Sequence, residues 1–233
     1  MSIEEYKKLK QSVITQAVTK GIRPGRKMKD SGIEWIGEIP EEWKVLRHKY
    51  VMHKEKRICE HYNSEDIISL TMNGVVVRDL NAGGKMPATF DGYQYVEPED
   101  LLLCLFDIDV TPRCVGLVKN CGVTSPAYSK FVVHQGYYNA YYDYLLRAID
   151  DAKVFVHLSK NLRSSLTETD FGALPTVVPP IDEQKEIVSY LDRKTVEIDE
   201  LVEKKVKFLN ELEDYKKSLI FEYVTGKKEV PAV

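Results

Sequence analysis

Apolar residues recur at helical spacing near the start of the chain. Four of them fall three or four positions apart and so share one face of a helix: Tyr6, Leu9, Val13 and Ala17. Gly21 and the Pro24-Gly25 pair then interrupt the pattern. The spacing therefore predicts an amphipathic helix over residues 3–20, followed by a basic, turn-rich linker to about residue 32.

The middle of the chain alternates short apolar runs with turn-forming dipeptides. The runs are rich in β-branched residues and lie at 67–71, 74–77, 101–106, 114–118 and 131–133. Pairs such as Asn73-Gly74 and Asp91-Gly92 are typical of tight turns between strands. Tyrosines and leucines recur at helical spacing over 137–150, which predicts a helix there. We therefore expect an α+β class fold, with a mixed globular domain over residues 33–180.

A long segment with an apolar stripe follows Pro179-Pro180. Residues 182–224 contain neither Gly nor Pro, and acidic residues occupy the first turn, where the helix dipole favours them. Seven apolar residues follow a heptad-like stripe: Leu191, Ile198, Leu201, Phe208, Leu212, Tyr215 and Leu219. A continuous helix here would be roughly 60 Å long. The pattern predicts a coiled-coil helix over 181–226 with a short tail at 227–233. The N-terminal helix would cover part of the stripe and a second chain the remainder.

The two predicted helices end in similar sequences. Residues 12–21 and 218–226 match at a Ser, at an Ile and at a Val-Thr pair, and both reach a Gly. This echo indicates a helical end-piece that occurs twice, so a second copy or a second half would complete a symmetric object. Two amphipathic helices with Gly caps could also converge by composition. The repeat alone leaves both interpretations open.

Charge is distributed unevenly along the chain. The net charge is -3, yet residues 1–60 carry 14 Lys and Arg against 9 Asp and Glu, whereas residues 61–180 carry 9 against 14. The N-terminal excess is concentrated in Lys20, Arg23, Arg26, Lys27 and Lys29. Such a run is typical of a solvated linker and would equally suit contacts to phosphates. If the chain binds DNA, its own charge contributes weakly, and a basic partner is expected to supply the rest.

Motifs for catalysis, cofactors and metals are not recognisable in the sequence. The four cysteines lack CxxC pairing and nearby histidines at zinc spacing, so we expect buried, reduced thiols and no metal or cofactor. Asp107 and Asp109 with Glu183-x-Lys185 raise the alternative of a nuclease. Glu183 and Lys185 fall in the first turn of the predicted helix, however, where we expect solvated side chains. No apolar run is long enough to cross a bilayer and no leader is recognisable, so we expect a cytoplasmic protein without membrane contact.

Several motifs resemble those of the specificity subunits of type I restriction-modification systems. Trp35-Ile36-Gly37-Glu38-Ile39-Pro40-Glu41-Glu42-Trp43 is similar to the sequence that opens a target-recognition domain in that family. The stretch from Leu162-Arg163-Ser164-Ser165-Leu166 through Val178-Pro179-Pro180-Ile181 to Glu183-Gln184 resembles the passage into the family's conserved long helix. Ser218-Leu219-Ile220 and Val224-Thr225-Gly226-Lys227 resemble the far end of that helix. The order and spacing of these motifs agree over most of the chain.

The resemblance implies a non-catalytic subunit that selects a DNA sequence. A full-length member of the family alternates two recognition domains with two conserved helical regions, whereas this chain resembles one such half. It implies double-stranded DNA, methyltransferase subunits and a restriction subunit as partners. Two copies paired through their long helices would read a palindromic, bipartite site. Two alternatives remain: pairing with a different recognition half, and a coiled-coil adaptor that does not bind DNA.

Side chains that read bases are chiefly Arg, Lys, Asn and Gln, with hydroxyl groups as further donors. The candidates on polar turns of the predicted domain are Thr71, Asn73, Arg78, Lys85, Arg113, Ser125, Tyr128, Lys130, Arg163 and Ser164. Arg163 and Ser164 belong to a motif that the family shares, which favours a structural or backbone role over base choice. Tyr128 equally fits a core tyrosine with a satisfied hydroxyl group.

Overall fold

The computed structural model describes residues 1–81, 87–111, 113–159 and 164–228. They form two compact units. The helical unit comprises Met1–Val13 and Tyr190–Val233, and the mixed unit comprises Ile14–Ser189. The mixed unit extends beyond the domain predicted over 33–180, because it includes the end of the N-terminal helix and the first turns of the long helix.

Two helices run through both units. Helix α1 spans Ile3–Lys20 and helix α5 spans Ile181–Val224, which confirms both helices predicted from the apolar spacing. Within the helical unit, Lys10 Nζ lies 2.6 Å from Asp199 Oδ2 and so links the two helices. Among the described residues, no helix has the length and apolar character that crossing a bilayer requires.

The ends of the two helices share a backbone conformation but differ in burial. Gly21 after α1 has φ +75° and Gly226 after α5 has φ +71°, and only glycine adopts such angles readily. The corresponding valines of the sequence echo are Val18, which is 0% exposed, and Val224, which is 80% exposed. The first helix end is therefore covered within this chain and the second is open. A repeat and a convergence of two Gly-capped helices both predict these glycine conformations, so the caps do not distinguish between them.

Two four-stranded sheets form the centre of the mixed unit. One has the order β6-β5-β10-β7, with β5 Ile67–Thr71, β6 Gly74–Val77, β7 Gln94–Val96 and β10 Gly122–Thr124. Its β5–β10 pair is parallel, and its other pairs are antiparallel. The other sheet is antiparallel with the order β4-β11-β8-β9, formed by β4 Met52–Lys54, β8 Leu101–Leu103, β9 Val115–Leu117 and β11 Ser129–Val133.

Two further strand pairs involve residues near the beginning and the end of the mixed unit in sequence. Strands β1 (Met28–Asp30) and β2 (Glu38–Pro40) form a hairpin, and β3 (Lys44–Arg47) pairs antiparallel with β12 (Pro175–Val178). The β3–β12 pair joins the opening segment of the unit to the residues that lead into α5. The described part of the unit also contains three shorter α-helices, α2 Asn139–Asp151, α3 Val154–Leu158 and α4 Glu168–Ala173, and a 3-10 helix over His48–Tyr50.

The core of the mixed unit is built from β8 and α2. All three leucines of β8 are 0% exposed, because this strand is central in its sheet. Helix α2 packs against β9 and buries two tyrosines and two leucines: Tyr141, Tyr142, Leu145 and Leu146. Tyr141, Tyr142 and Tyr144 are therefore core residues, whereas Tyr137 and Tyr138 precede the helix and are half-buried. Three of the four cysteines are buried, as expected, but Cys121 is exposed.

Some predicted strands are shorter than their apolar runs. The run 101–106 gives a strand over Leu101–Leu103, and 114–118 gives Val115–Leu117. A loop begins at Cys104, whose N–H donates to the carbonyl of Cys114 at 2.8 Å and so closes it. Asp107 adopts φ +47° within this loop. Leu105 and Ile108 of the loop are buried without strand pairing, whereas Phe106 and Val110 are exposed, so an apolar run does not by itself indicate a strand here.

Candidate functional surfaces

The β5–β6 hairpin presents an exposed polar tip. The Thr71 hydroxyl group donates to the carbonyl of Gly74 at 2.9 Å and accepts from the Asn73 N–H at 3.2 Å. Gly74 adopts φ +99°, which the turn requires. This bonding commits the Thr71 hydroxyl to the turn, while the side chains of Met72 and Asn73 are exposed.

Further candidates lie on the same sheet, at the level where β5 begins. Because β10 runs parallel to β5 with Thr124 opposite Ile68, β10 ends near the start of β5. Arg78 lies at this level too, since its N–H donates to the carbonyl of Ile67 at 2.7 Å. Ser125 follows β10 directly, and Tyr128 packs against the buried cluster of Ile68 and its neighbours. The charge of Arg78 lies close enough to lower the pKa of Tyr128, although burial raises that pKa more strongly. We name these five candidates the hairpin surface: Thr71 and Asn73 lie at the hairpin tip, and Arg78, Ser125 and Tyr128 lie toward the opposite end of the hairpin.

The hairpin surface contains both ordered and exposed polar groups. The carbonyl of Ser125 accepts from Gln94 Nε2 at 3.0 Å, and its hydroxyl oxygen accepts from the Ala127 N–H at 3.3 Å. Tyr128 is half-buried, so it contributes to the core as well as to the surface. Asn73 and Arg78 are therefore the members of this surface with the side-chain chemistry best suited to base edges.

Lys130 was predicted to contact DNA, which requires an exposed side chain, but its side chain does not reach the surface. It is 4% exposed, and its Nζ lies 2.7 Å from Glu55 Oε1 and 3.5 Å from Asp100 Oδ2. Its charge lowers the pKa of Glu55. Burial raises the pKa of Asp100, and Lys130 opposes that shift. Lys130 is a structural counterion, because β11 directs it toward two carboxyl groups rather than toward solvent.

The remaining candidates lie away from the hairpin surface or outside the described residues. Arg113 precedes β9, and its charge acts on Asp143 and Asp151 of α2, where it opposes the effect of burial on their pKa values. The carbonyl of Ser164 accepts from the Ile108 N–H at 3.1 Å, which is a backbone contact. Lys85 and Arg163 lie outside the described residues.

A buried charge cluster lies where the mixed unit meets its own helix ends. Glu183, in the first turn of α5, is 1% exposed. Both of its oxygens accept from the Arg26 guanidinium, one of them from Nη2 at 2.9 Å, and Oε2 also accepts from the Trp43 Nε1–H at 3.1 Å. The expectation of a solvated Glu183 was wrong, because three donors compensate its burial. Glu183 is therefore committed to structure, which removes it from a nuclease site.

The basic linker is also largely committed to structure. Arg26 pairs with both Glu183 and Glu42, and Glu183 raises the pKa of Arg26. Arg23 Nη2 lies 2.7 Å from Glu186 Oε2, and Lys20 Nζ donates to the carbonyl of Ile36 at 3.0 Å. Sequence reasoning missed this cluster because the partners of Arg26 lie far away along the chain. The sequence did offer one signal for this cluster. Trp43 ends the family-like motif at 35–43, and Glu183 belongs to the family-like motif at the start of the long helix.

The apolar stripe of α5 is covered only at its beginning. Leu191 and Ile198 are buried, whereas Leu219 is half-buried. The other four members of the predicted stripe are exposed: Leu201, Phe208, Leu212 and Tyr215. Tyr215 reaches 62% exposure. We name these four residues the open seam. The sequence expectation that part of the stripe lacks cover within this chain is met for the described residues.

Comparisons with known proteins give one consistent result. No protein-family model matches the chain. The "Putative type I restriction enzyme MjaX specificity subunit" of Methanocaldococcus jannaschii is 25% identical over 240 residues, which cover 98% of this chain and 52% of that protein. The chain thus spans about half the length of this relative.

Solved structures show the same fold. The HsdS subunit from Thermoanaerobacter tengcongensis superposes with a TM-score of 0.55 at 16% identity, covering 94% of this chain and 51% of that chain. A chain from a structure of the type I R-M system, described for its complex assembly and conformational transition, gives a TM-score of 0.59 at 15% identity, covering 94% and 54% respectively.

The mixed unit and the long, partly covered helix give the chain an HsdS-like fold. The chain is a relative of the type I restriction-modification specificity subunits over a length of about half such a subunit, which confirms the resemblance predicted from its motifs.

Proposed function

We propose that this chain is a non-catalytic DNA-specificity component of a type I restriction-modification system. The observation that carries the proposal is the alignment of 98% of the chain with a specificity subunit. The shared fold supports it independently of the sequence match. Because its proposed ligand is DNA, we infer that the protein acts in the cytoplasm.

The hairpin surface is the proposed reader of base edges. Asn73 is exposed at the hairpin tip, and an Asn amide can donate to and accept from adenine in the major groove. Arg78 lies at the opposite end of the hairpin, opposite Ile67, and its guanidinium group has the donor geometry that suits guanine or phosphate. The hydrogen bonds of the Thr71 hydroxyl group order the tip that carries Asn73, so this reader needs little reorganisation on binding.

The open seam is the proposed dimer contact. Leu201, Phe208, Leu212 and Tyr215 form an apolar stripe along α5 that a second helix of the same kind would cover. Pairing between two copies has twofold symmetry, so each copy would present an identical hairpin surface to DNA. The proposed target is therefore bipartite and palindromic, with each copy reading one half-site.

Methyltransferase subunits are the proposed catalytic partners, and a restriction subunit is a further one. The chain has a net charge of -3, so its own phosphate contacts would give a small electrostatic contribution. A basic partner that also contacts DNA would compensate for this deficit. Several Lys and Arg residues of the linker are already committed to acidic groups, which strengthens the need for such a partner.

Sequencing of methylated sites tests the proposal directly. The chain is expressed with its cognate methyltransferase in a host that lacks other methylation. A palindromic motif with a fixed gap supports the homodimer, and substitution Asn73→Ala should relax or change one position in each half-site. Absence of methylation, together with absence of DNA binding by the assembled complex, would contradict a specificity role and favour a coiled-coil adaptor.

A second assembly within the same function is pairing with a different recognition half. The observation that favours it is that the chain corresponds to about half of its relative. Multi-angle light scattering of the purified chain separates the two assemblies. A concentration-independent monomer, combined with an asymmetric methylated motif, would support the mixed pair and overturn the homodimer.

A further inference from the structure

Strand β9 places a glycine against the β5–β6 hairpin. Gly116 is buried, and a Cβ built on it would lie 2.7 Å from Val75 Cγ2 and 2.8 Å from Leu70 Cδ1. Real Cβ atoms do not approach other atoms this closely, so a side chain here would force its neighbours to move. A glycine inside a strand often marks such a close approach. The absence of a side chain at Gly116 therefore lets the two sheets meet at this point.

The two residues that an added Cβ would meet are opposite each other in the hairpin. Leu70 pairs with Val75, and this pair directly precedes the 71–74 turn. Asn73 is two residues from Val75 along the chain. Gly116 therefore lies against the part of the hairpin that carries the tip, and a shift of this pair would shift the tip as well.

The tip half of the hairpin is freer to move than β9. Strand β6 is at the edge of its sheet, and β10 pairs with β5 at Ile67 and Ile68, the end away from the tip. Strand β9 is also an edge strand, but it pairs with the buried strand β8 and packs against α2. Val75 is β-branched, so its methyl groups turn away from an added Cβ less readily than the Leu70 side chain does. A side chain at position 116 should therefore displace the tip.

We propose that Gly116 is a positioning residue for DNA recognition, because its missing side chain sets where the hairpin tip lies and so how Asn73 meets a base edge. This role rests on the proposed function, in which Asn73 is a reader. Gly116 itself is buried and needs no contact with DNA. Its effect on recognition passes through Val75 and the turn.

Residual dipolar couplings of backbone amides test the position of the tip without DNA. In the isotope-labelled full chain, Gly116→Ala should change the couplings of residues 72–74. Gly172→Ala is the matched control and should leave them as in the parent, because a Cβ there would lie 3.4 Å from its nearest neighbour. Unchanged tip couplings in Gly116→Ala would overturn the proposal, whatever the protein does with DNA.

Sequencing of methylated sites, with the cognate methyltransferase present, tests the consequence for DNA. Gly116→Ala should weaken discrimination at least about fivefold at the position that Asn73→Ala also alters, and leave the rest of the motif unchanged. A merely destabilised domain would lower methylation at every site and keep the parent's motif, and that result would overturn the proposal. If Asn73→Ala itself kept the parent's motif, the proposed reader would be wrong, and the tip couplings alone would show whether Gly116 positions the hairpin.

A double variant tests the steric cause. Val75→Ala removes the methyl groups that an added Cβ at position 116 would meet, so it should return the tip couplings and the motif of Gly116→Ala toward those of the parent. Failure to restore the couplings would show that the contact with Val75 does not set the tip position. If Gly116→Ala alone is too unstable to measure, the double variant must fold and show the parent's tip couplings for the proposal to stand.

Discussion

The indole N–H of Trp43 donates to Glu183 Oε2 at 3.1 Å, which joins residues 140 positions apart. Both side chains are almost completely buried. Arg26 neutralises the carboxylate, and Gly21 leaves the space that this arrangement needs, since a Cβ there would lie 2.9 Å from both Arg26 Nη1 and Glu183 Oε1. Three segments of the mixed unit are therefore held together around one carboxylate.

Substitution Glu183→Gln should destabilise the fold strongly. The variant keeps the shape of the side chain but leaves the Arg26 charge without its buried counterion, which we expect to cost about 3 kcal/mol. Glu186→Gln is the matched control, because Glu186 lies one turn away in an exposed pair with Arg23 and should cost less than about 1 kcal/mol. Urea unfolding of both variants measures the difference, and equal costs would refute the importance of burial here.

The two copies of the helix-end sequence should respond differently to the same change. Val18→Ala removes buried methyl groups and should lower the free energy of unfolding by about 2 kcal/mol. Val224→Ala changes a residue that is exposed in this chain and should stay within about 0.5 kcal/mol of the parent. Thermal and urea unfolding at low protein concentration provide the comparison. A comparable loss in Val224→Ala would show that this end is covered in solution.

Loss of the Lys130 ammonium group should lower the stability of the fold, and the size of this loss should depend on pH. Lys130→Met leaves Asp100 buried without its counterion, at an expected cost of about 3 kcal/mol near pH 7. Lys130 also lowers the pKa of Glu55, and the stability linked to that shift is present above the ordinary carboxyl pKa and lost as pH falls.

The cost of Lys130→Met should therefore shrink as the carboxyl groups take up protons near pH 4. Lys54→Met is the control, since Lys54 pairs with the exposed Glu168. Urea unfolding at both pH values checks the prediction. A variant of normal stability that binds DNA poorly would instead return Lys130 to the DNA surface.

His48 should contribute to acid sensitivity in a defined window. Its pKa falls from the ordinary 6.5 to about 4 on folding, because burial disfavours the charged ring. The unfolded chain therefore takes up a proton first, and stability falls as pH decreases from 6.5 toward 4. His48→Gln removes this titration and should narrow the stability difference between about pH 7 and pH 4.5 by about 2 kcal/mol. If His48→Gln left the pH dependence of the stability unchanged, the lowered pKa of His48 in the folded chain would be contradicted.

Charged residues introduced into the open seam should weaken the association of two copies of the chain. Leu212→Lys combined with Tyr215→Lys places two charges on the proposed dimer contact and should raise the dissociation constant of the homodimer about tenfold or more. Val196→Lys introduces the same group at an exposed position outside the predicted stripe and should leave association unchanged. Analytical ultracentrifugation measures both. Unaltered association in the double variant would place the contact elsewhere.

Periodicity alone predicted both helices that run through the two units. It succeeded because α1 covers one side and α5 covers one side over its first turns, so apolar residues such as Val13 and Leu191 recur at helical intervals. It failed for short strands such as β7 and β12, which contain three or four residues and are formed by partners distant in sequence. The β3–β12 pair, for example, brings Val45 opposite Val177.

The candidate surface was predicted in part. Asn73 and Arg78 could be named because turn dipeptides place polar residues outside a sheet. The placement of Arg78 at the same level as Ser125 depends on the parallel β5–β10 pairing, which no local pattern encodes. Lys130 and Glu183 were both expected at the surface. That expectation was wrong because the sequence does not show which distant residues become the counterions of a buried charge.

Because α1 and α5 each begin in one unit and finish in the other, no flexible linker marks the border between them. Exchange of the mixed unit between relatives should therefore use junctions inside the helices, near Ile14 and Ser189, so that one parent supplies Arg26, Trp43 and Glu183 together. A chimera cut at Ile33 and Pro180 would take Trp43 from one parent and both of its charged companions from the other.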